Sequence, residues 1–188
     1  IRLSLVGSEM CIRDSGYDST KIVNKIKEME DQGYQFDAAE GSLEVLIRKV
    51  TGQFVEPFLL ESFRVTIEKD QSGPSTSQAT IKISVGNEQE ITAAEGDGPV
   101  NALDNALRKA LINFFPQIQE MGLVDFKVRV IEGSDGTGAK VRVRIDSRDS
   151  GEIWSTVGVS ENIIEASWQA LVDSIQYKLL KDGKEKHT

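Results

Sequence analysis

Two stretches of this chain share one pattern and decide its fold: residues 92–107, TAAEGDGPVNALDNAL, and residues 156–171, TVGVSENIIEASWQAL. Each passes from a segment typical of a half-buried strand through a short polar connection into an apolar repeat of three and four residues, typical of a helix. In the first stretch, two glycines and a proline make that connection. Two such strand-to-helix junctions in one chain indicate an internal duplication.

The residues before each junction repeat as well. Apolar and polar side chains alternate in residues 63–67 and 79–85, and again in residues 126–130 and 139–145. This period of two predicts half-buried antiparallel strands. We align ATIKISV, residues 79–85, with AKVRVRI, residues 139–145. The chain is therefore predicted to be an α+β protein in which two repeated βββα units form layered sheets and helices.

The predicted domains follow from these units. A small helical linker subdomain precedes the duplicated domain, and a polar tail follows it. The predicted boundaries are 16–58 for the linker, 59–182 for the duplicated domain, 61–116 for its first repeat, 121–181 for its second repeat, and 183–188 for the tail.

Two short helices are predicted within the linker. Asp37, followed three residues later by Glu40, resembles a capping box at the start of the second helix, and Gly52 is placed to end it. Two helices of this size cannot bury their apolar stripes on each other alone. We therefore expect them to act as a hinge or linker that lies against something absent from this chain or from its partner.

The first fifteen residues are treated separately. Residues 5–15, LVGSEMCIRDS, look like the translated read-through of a sequencing adapter, so residues 1–15 are left out of the fold prediction. This removes Cys11, the only cysteine, while His187, the only histidine, lies in the polar tail. Histidine triads, cysteine nucleophiles and the usual zinc clusters are therefore excluded. We predict no catalytic residue and no metal ligand in this chain.

The charge of the chain limits its partners. Thirty acidic and 22 basic residues give a net charge of −8, so phosphate backbones and anionic membrane surfaces would repel most of the surface. No apolar run approaches the roughly 20 residues that cross a bilayer. We expect neither a nucleic acid nor a membrane as partner, and a cytoplasmic location.

The junction EGDGP, residues 95–99, is a candidate anion site. A helix start leaves backbone N–H groups unpaired, and glycine lets a ligand approach the backbone closely. The alternative is that Gly96 and Gly98 only form the turn and that the helix caps itself. GSDGTGAK, residues 133–140, is not a phosphate-binding loop, because Val141 stands where Ser or Thr should bind magnesium.

Four stretches together resemble a known family: GYQFDAAEGSLEVLIRK, EGDGPVNALDNALRKAL, DFKVRVIEGSDGTGAKVRVRI and VGVSENIIEASWQALVDSIQYKL. They are similar to the C-terminal part of the 2-isopropylmalate synthase and citramalate synthase family. The resemblance covers about residues 16–181, and the form GVSENIIEASWQALVDS favours the citramalate synthase branch.

The resemblance implies the architecture and activity of a longer enzyme. In that family an N-terminal TIM barrel with a divalent metal condenses acetyl-CoA with a 2-oxo acid. A helical linker and a C-terminal domain of duplicated βββα units follow, and that domain binds the end-product amino acid and helps the enzyme to form a homodimer. For the citramalate synthase branch, the implied substrate is pyruvate and the implied effector is isoleucine. This fragment lacks the barrel, so we expect it to hold no cofactor and to be inactive alone.

Two alternatives remain open from the residues. The chain could be the same domain of a 2-isopropylmalate synthase with leucine as effector, or a structural dimerisation module without a ligand. If an effector binds, the resemblance implies contacts from the turn, the strand that begins the second repeat and the glycine-rich hairpin. These residues are Gly96, Asp97, Gly98, Val100, Asn101, Leu123, Phe126, Val130, Thr137 and Ala139.

Overall fold

The computed structural model of the protein describes residues 19–131 and 139–185. The elements follow one another as α1 (Ser19–Asp31), a 3-10 turn (Phe36–Ala38), α2 (Glu40–Val50), β1 (Leu59–Glu68), β2 (Thr76–Val85), β3 (Glu88–Gly96), α3 (Pro99–Leu111), a second 3-10 turn (Pro116–Glu120), β4 (Gly122–Val130), β5 (Val141–Arg148), β6 (Ile153–Ser160) and α4 (Ile163–Glu185). The strands form two antiparallel sheets, ordered β1-β2-β3 and β4-β5-β6. A helix follows each sheet, so the predicted α+β fold of two repeated βββα units is confirmed.

Side-chain contacts repeat together with the strands. The hydroxyl of Thr92 in β3 donates a hydrogen bond to the carbonyl oxygen of Ala106 in α3 at 2.8 Å. The hydroxyl of Thr156 in β6 donates to the carbonyl oxygen of Ala170 in α4 at the same distance. Thr156 follows Thr92 by 64 residues, as Ala170 follows Ala106. The two units therefore fix their helix to their last strand in the same way.

The residue matching predicted for the second strand of each unit is wrong by four positions. ATIKISV at 79–85 does not correspond to AKVRVRI at 139–145. In the sheets, Ile81 pairs with Thr92 and Ile145 pairs with Thr156, so Ile81 corresponds to Ile145. Side chains on a strand change face at every residue, so a shift of four keeps each apolar residue on the same side. An alternating pattern alone cannot distinguish the two matches.

One hydrophobic core joins the two units. Buried side chains from the middle strand of each sheet pack with buried side chains from α3 and α4 in a single cluster. The rings of Phe63 in β1 and Trp168 in α4 lie 5.5 Å apart, so the helix of the second unit packs on a strand of the first. Because the units share this core, burying apolar area holds them together as well as holding each one folded.

The second linker helix packs on the second unit of the same chain. Ser42 in α2 accepts a hydrogen bond from the Val157 backbone N–H at 3.0 Å and donates one to Oδ2 of Asp173 at 2.6 Å. Oε1 of Glu40 accepts a hydrogen bond from the Ser155 N–H at 3.0 Å. These bonds cover the free edge of β6, which would otherwise expose unpaired backbone groups. The expectation that the linker helices need a surface absent from this chain is therefore wrong for α2.

The predicted capping box at the start of α2 is also wrong. Asp37 lies in the 3-10 turn, the N-cap residue is Ala39, and no side chain caps the helix. The reason is a tertiary contact. The carboxylate of Glu40, which a capping box would direct to its own helix start, binds the Ser155 N–H of β6 instead.

Candidate functional site

Helix α3 begins without a side-chain cap. Its N-cap residue is Gly98, whose backbone is extended, and Pro99 is the first helical residue. The first bond of the helix runs from the Ala102 N–H to the Gly98 carbonyl at 2.9 Å. Within the described part of the chain, the N–H groups of Val100 and Asn101 have no hydrogen-bond acceptor. Two adjacent donors at the positive end of a helix form a site suited to an anion.

The turn before α3 is held by side chains that reach backward. Oδ1 of Asn101 accepts a hydrogen bond from the Asp97 N–H at 3.2 Å. Nδ2 of Asn105 donates to the carbonyl oxygen of Glu95 at 3.0 Å. These bonds fix the loop without using the N–H groups of Val100 and Asn101, so those donors keep a fixed direction while remaining available.

The two glycines of the turn have different roles. A Cβ at Gly96 would lie 2.3 Å from the backbone nitrogen of Ala102, so only glycine lets α3 approach the end of β3 this closely. A Cβ at Gly98 would meet no atom within 4 Å. Gly96 is therefore needed for packing, whereas Gly98 borders open space in front of the helix start.

The equivalent helix start in the second unit is capped. Oδ1 of Asn162 accepts a hydrogen bond from the Ile164 N–H at 2.9 Å, and the Asn162 N–H donates to Oγ of Ser160 at 3.1 Å. Asn162 follows Gly98 by 64 residues and occupies its place in the repeat. Between the two repeats the difference is therefore that a side chain accepts from the first turn of α4, at the Ile164 N–H, whereas none accepts from the first turn of α3.

Three further predicted residues belong to an apolar surface on β4. Phe126 pairs with Ile145 and Val130 pairs with Val141. The side chains of Phe126 and Val130 therefore lie on the face of the second sheet that carries the core residues of β5. Exposed fractions on this side range from 36% to 64%. We term this surface the β4 face, and it consists of Leu123, Phe126, Val128 and Val130.

Within one chain, the turn and the β4 face are not brought together. The turn packs on α3 and β3, whereas β4 packs on β5. Two surface cavities, of about 370 and 290 Å³, are lined by residues other than the predicted ones. Ala139 is half-buried beside β5, and Thr137 lies outside the described residues.

A partly buried ion pair ties α3 to the start of β4. Both carboxylate oxygens of Asp104 accept hydrogen bonds from Nε of Arg108 at 2.9 Å, and Nη1 of Arg108 donates to the Met121 carbonyl at 2.9 Å. Burial raises the pKa of Asp104 above its ordinary value, and the neighbouring guanidinium opposes that rise. The pair therefore sets the position of β4 relative to the helix that carries the open turn.

The sequence patterns do not predict a row of cations on the outer face of the second sheet. These residues alternate with apolar ones, which is also what an ordinary solvated strand face looks like. The signal that could have identified them is that the first repeat has a cation at only one of the four matching positions. They are Lys127, Arg129, Arg142 and Arg144.

Two kinds of feature are absent from the described ranges. No helix within residues 19–131 and 139–185 combines the length and apolar character needed to cross a membrane. In the same residues, no group of three or more His, Cys, Asp or Glu side chains is arranged to hold a metal ion.

Comparison with known proteins identifies the family. The model of the LeuA allosteric (dimerisation) domain matches residues 37–179. The (R)-citramalate synthase of Aquifex aeolicus is 54% identical over 167 residues, which are 88% of this chain and 31% of that protein. The enzyme of the same name from Geobacter sulfurreducens is 52% identical over 162 residues, 86% of this chain and 31% of that protein.

A third relative extends the match along the chain. The (R)-citramalate synthase of Streptomyces coelicolor is 42% identical over 185 residues, 96% of this chain and 34% of that protein. The chain thus spans about a third of the length of the curated relatives it matches. With its duplicated βββα units and this match over most of its length, the chain belongs to the LeuA allosteric (dimerisation) domain family.

Proposed function

We propose that this chain is the regulatory and dimerisation part of an (R)-citramalate synthase and binds isoleucine as a feedback inhibitor at the start of α3. The whole enzyme would condense acetyl-CoA with pyruvate in the cytoplasm, using a barrel and a divalent metal that are not in this chain. The observation that supports this effector site is that no side chain caps the start of α3, whereas Asn162 caps the start of the equivalent helix α4.

The chemistry of a free amino acid fits the turn. Its carboxylate would accept hydrogen bonds from the N–H groups of Val100 and Asn101 at the positive end of α3. Its ammonium group would pair with the exposed carboxylate of Asp97. Its branched side chain needs an apolar wall, which the turn itself lacks.

A second copy of the chain would supply that wall. The β4 face is a continuous apolar row that no described element of the chain covers, and a row of this kind on a small domain favours association. In a two-fold symmetric dimer, the same surface of each copy meets the other. We propose that the β4 face lies in this interface, so that Phe126 from one chain completes the site at the turn of its partner.

Magnitudes limit the expected selectivity. Burying a branched aliphatic side chain contributes about 1.5 to 3 kcal/mol, and one methylene changes discrimination by about 1 to 3 kcal/mol. Isoleucine should therefore bind more tightly than valine. Feedback inhibition would require the effector to favour one arrangement of linker and barrel, typically with a coupling of about 1 to 3 kcal/mol.

Titration calorimetry of the 188-residue chain with isoleucine, leucine and valine tests the effector assignment. We expect isoleucine to release heat and valine to bind more weakly. A response to leucine alone would favour the regulation of a 2-isopropylmalate synthase. If none of the three releases heat while the protein remains dimeric, the chain is a structural dimerisation module and the effector proposal is wrong.

A pair of matched variants locates the site. Gly98→Asp and Asn162→Asp each place a carboxylate at the same point of the repeat. Gly98→Asp should abolish isoleucine binding, because its carboxylate would occupy the donors and repel the ligand. Asn162→Asp should leave binding unchanged. Equal effects of the two variants would place the effector elsewhere.

The interface has a separate test. Phe126→Asp should convert the dimer to a monomer in sedimentation equilibrium, because it puts a charge into the apolar β4 face. Ile91→Asp is the control, since Ile91 is more exposed than Phe126 but lies on the outer face of β3. If Phe126→Asp remains dimeric, the β4 face is not the interface.

A further inference from the structure

Four cations lie together on the outer face of the second sheet, opposite the core. In the register of this sheet, Lys127 in β4 pairs with Arg144 in β5, and Arg129 pairs with Arg142. They line a cleft of about 370 Å³, a size that suits a small ligand. We term it the basic cleft. Although the chain has a net charge of −8, no acidic side chain is among the described residues that line it.

The repeat indicates that the fold does not need these charges. The first sheet has the same strand order and the same register relative to its bulge. Its equivalent positions hold one cation and three neutral side chains, namely Arg64, Thr66, Gln78 and Thr80. Neighbouring like charges on a sheet are destabilising, so a cluster present in only one repeat calls for a binding partner.

The two arginines of β5 are partly fixed by the protein. Arg142 donates from Nε to the Gly33 carbonyl at 2.6 Å and from Nη1 to Oε1 of Gln35 at 2.7 Å. Arg144 donates from Nη2 to Oδ2 of Asp146 at 3.0 Å, while its buried Nε has no partner in the described part of the chain. Guanidinium groups held in this way lose little further freedom on binding an anion.

The β4 cations differ in how far they are neutralised. Lys127 forms an ion pair with Asp125, whereas Arg129 has no ion-pair partner among the described residues. Burial, together with the positive charge of Arg129, lowers the pKa of Arg142 from its ordinary value. The charge of Asp37 acts on Arg142 in the opposite direction, so Arg129 is the least compensated of the four cations.

We propose that the basic cleft binds a small multivalent anion carrying phosphate or carboxylate groups. Arginine presents paired N–H donors that match the oxygens of either group, and several cations in one cleft favour two or more negative charges. Gln35 and Ala38 of the linker line the same cleft as the sheet cations. A bound anion would thus also hold the linker turn against the second sheet.

Calorimetry with pyrophosphate as the probe, at low ionic strength, tests this proposal on the 188-residue chain. We expect one pyrophosphate per chain. Arg129→Gln should weaken binding by about tenfold or more, because it removes a charge-assisted contact. Arg64→Gln removes the same charge from the outer face of the first sheet and should change the affinity less than about twofold.

Citrate in a parallel titration separates the two chemistries. Binding of pyrophosphate alone would assign a phosphate ligand, and binding of citrate alone would assign a carboxylate ligand. Lys127→Gln provides a second variant should Arg129→Gln melt at a lower temperature than the parent chain. Heat from neither probe, or equal weakening by the Arg129 and Arg64 substitutions, would overturn the proposal.

Discussion

Replacing Asp173 by asparagine should stabilise the protein at neutral pH. Asp173 lies on α4, its Oδ2 accepts a hydrogen bond from the Ser42 hydroxyl at 2.6 Å, and Nζ of Lys49 is 4.0 Å from its Oδ1. Burial raises the pKa of this carboxyl from 3.8 to about 6, although Ser42 and Lys49 act in the opposite direction. Asparagine keeps an acceptor for Ser42 and removes the charge whose burial is unfavourable.

The size and sign of the effect follow from proton linkage. Between pH 4 and 6 the folded state holds a proton at Asp173 that the unfolded chain has released, so stability falls as the pH rises through this window. A shift of about two pKa units corresponds to about 3 kcal/mol, which is an upper limit. Asp173→Asn should therefore raise the free energy of unfolding by about 1 to 3 kcal/mol at pH 7.5, but by less than about 1 kcal/mol at pH 4.

Urea unfolding followed by circular dichroism at the two pH values measures this difference. The parent chain is the reference at each pH, so other titrating groups cancel. Among these is Asp149, for which burial alone would raise the pKa, but hydrogen bonds from Lys181 and Lys178 hold it well below its ordinary range. Destabilisation by Asp173→Asn at pH 7.5, or equal stabilisation at both pH values, would refute the reasoning.

Three further predictions concern the repeat and the linker, each measured by urea unfolding. Thr92→Val and Thr156→Val should each lower the free energy of unfolding by about 1 kcal/mol, because each removes the equivalent buried hydrogen bond. A clearly unequal loss of stability would contradict the equivalence of the two units. Gly158→Ala should cost about 1 to 3 kcal/mol or more, since its Cβ would lie 2.0 Å from a helix carbonyl, whereas Gly98→Ala should cost less than about 1 kcal/mol. Ser42→Ala should cost about 1 to 3 kcal/mol by leaving the buried β6 N–H unpaired, and a neutral result would mean that α2 is not part of the folded unit.

The duplicated fold could be predicted from the sequence because its junctions carry two kinds of signal. In residues 92–107 and 156–171 the spacing of apolar residues changes from every second residue to every third and fourth. In the first stretch the helix also begins at a proline, so the two stretches can be aligned in only one register. The strand segments 79–85 and 139–145 carry only the period of two, and there the predicted match was wrong. Likewise, the destination of the Glu40 carboxylate depends on where β6 lies, which no local pattern contains.

The candidate site was predictable in part. Glycines and a proline at 95–99 indicate a helix start open to a ligand, but how many first-turn donors stay unpaired depends on the side chains that reach each helix start. The exposure of Phe126 could not be predicted from the sequence. Apolar and polar residues alternate in β4 in the same way as in a strand whose apolar side is covered by the rest of the protein. The basic cleft depends on the register between β4 and β5, which the sequence alone leaves open.

The most direct test of the effector site is an NMR titration of the 188-residue chain with isoleucine, following the backbone amide signals. We predict that the amides of Val100 and Asn101 shift most, while the capped amide of Ile164 in the second repeat stays in place. Equal shifts at both helix starts, or no shift at Val100 and Asn101 when isoleucine binds, would contradict it.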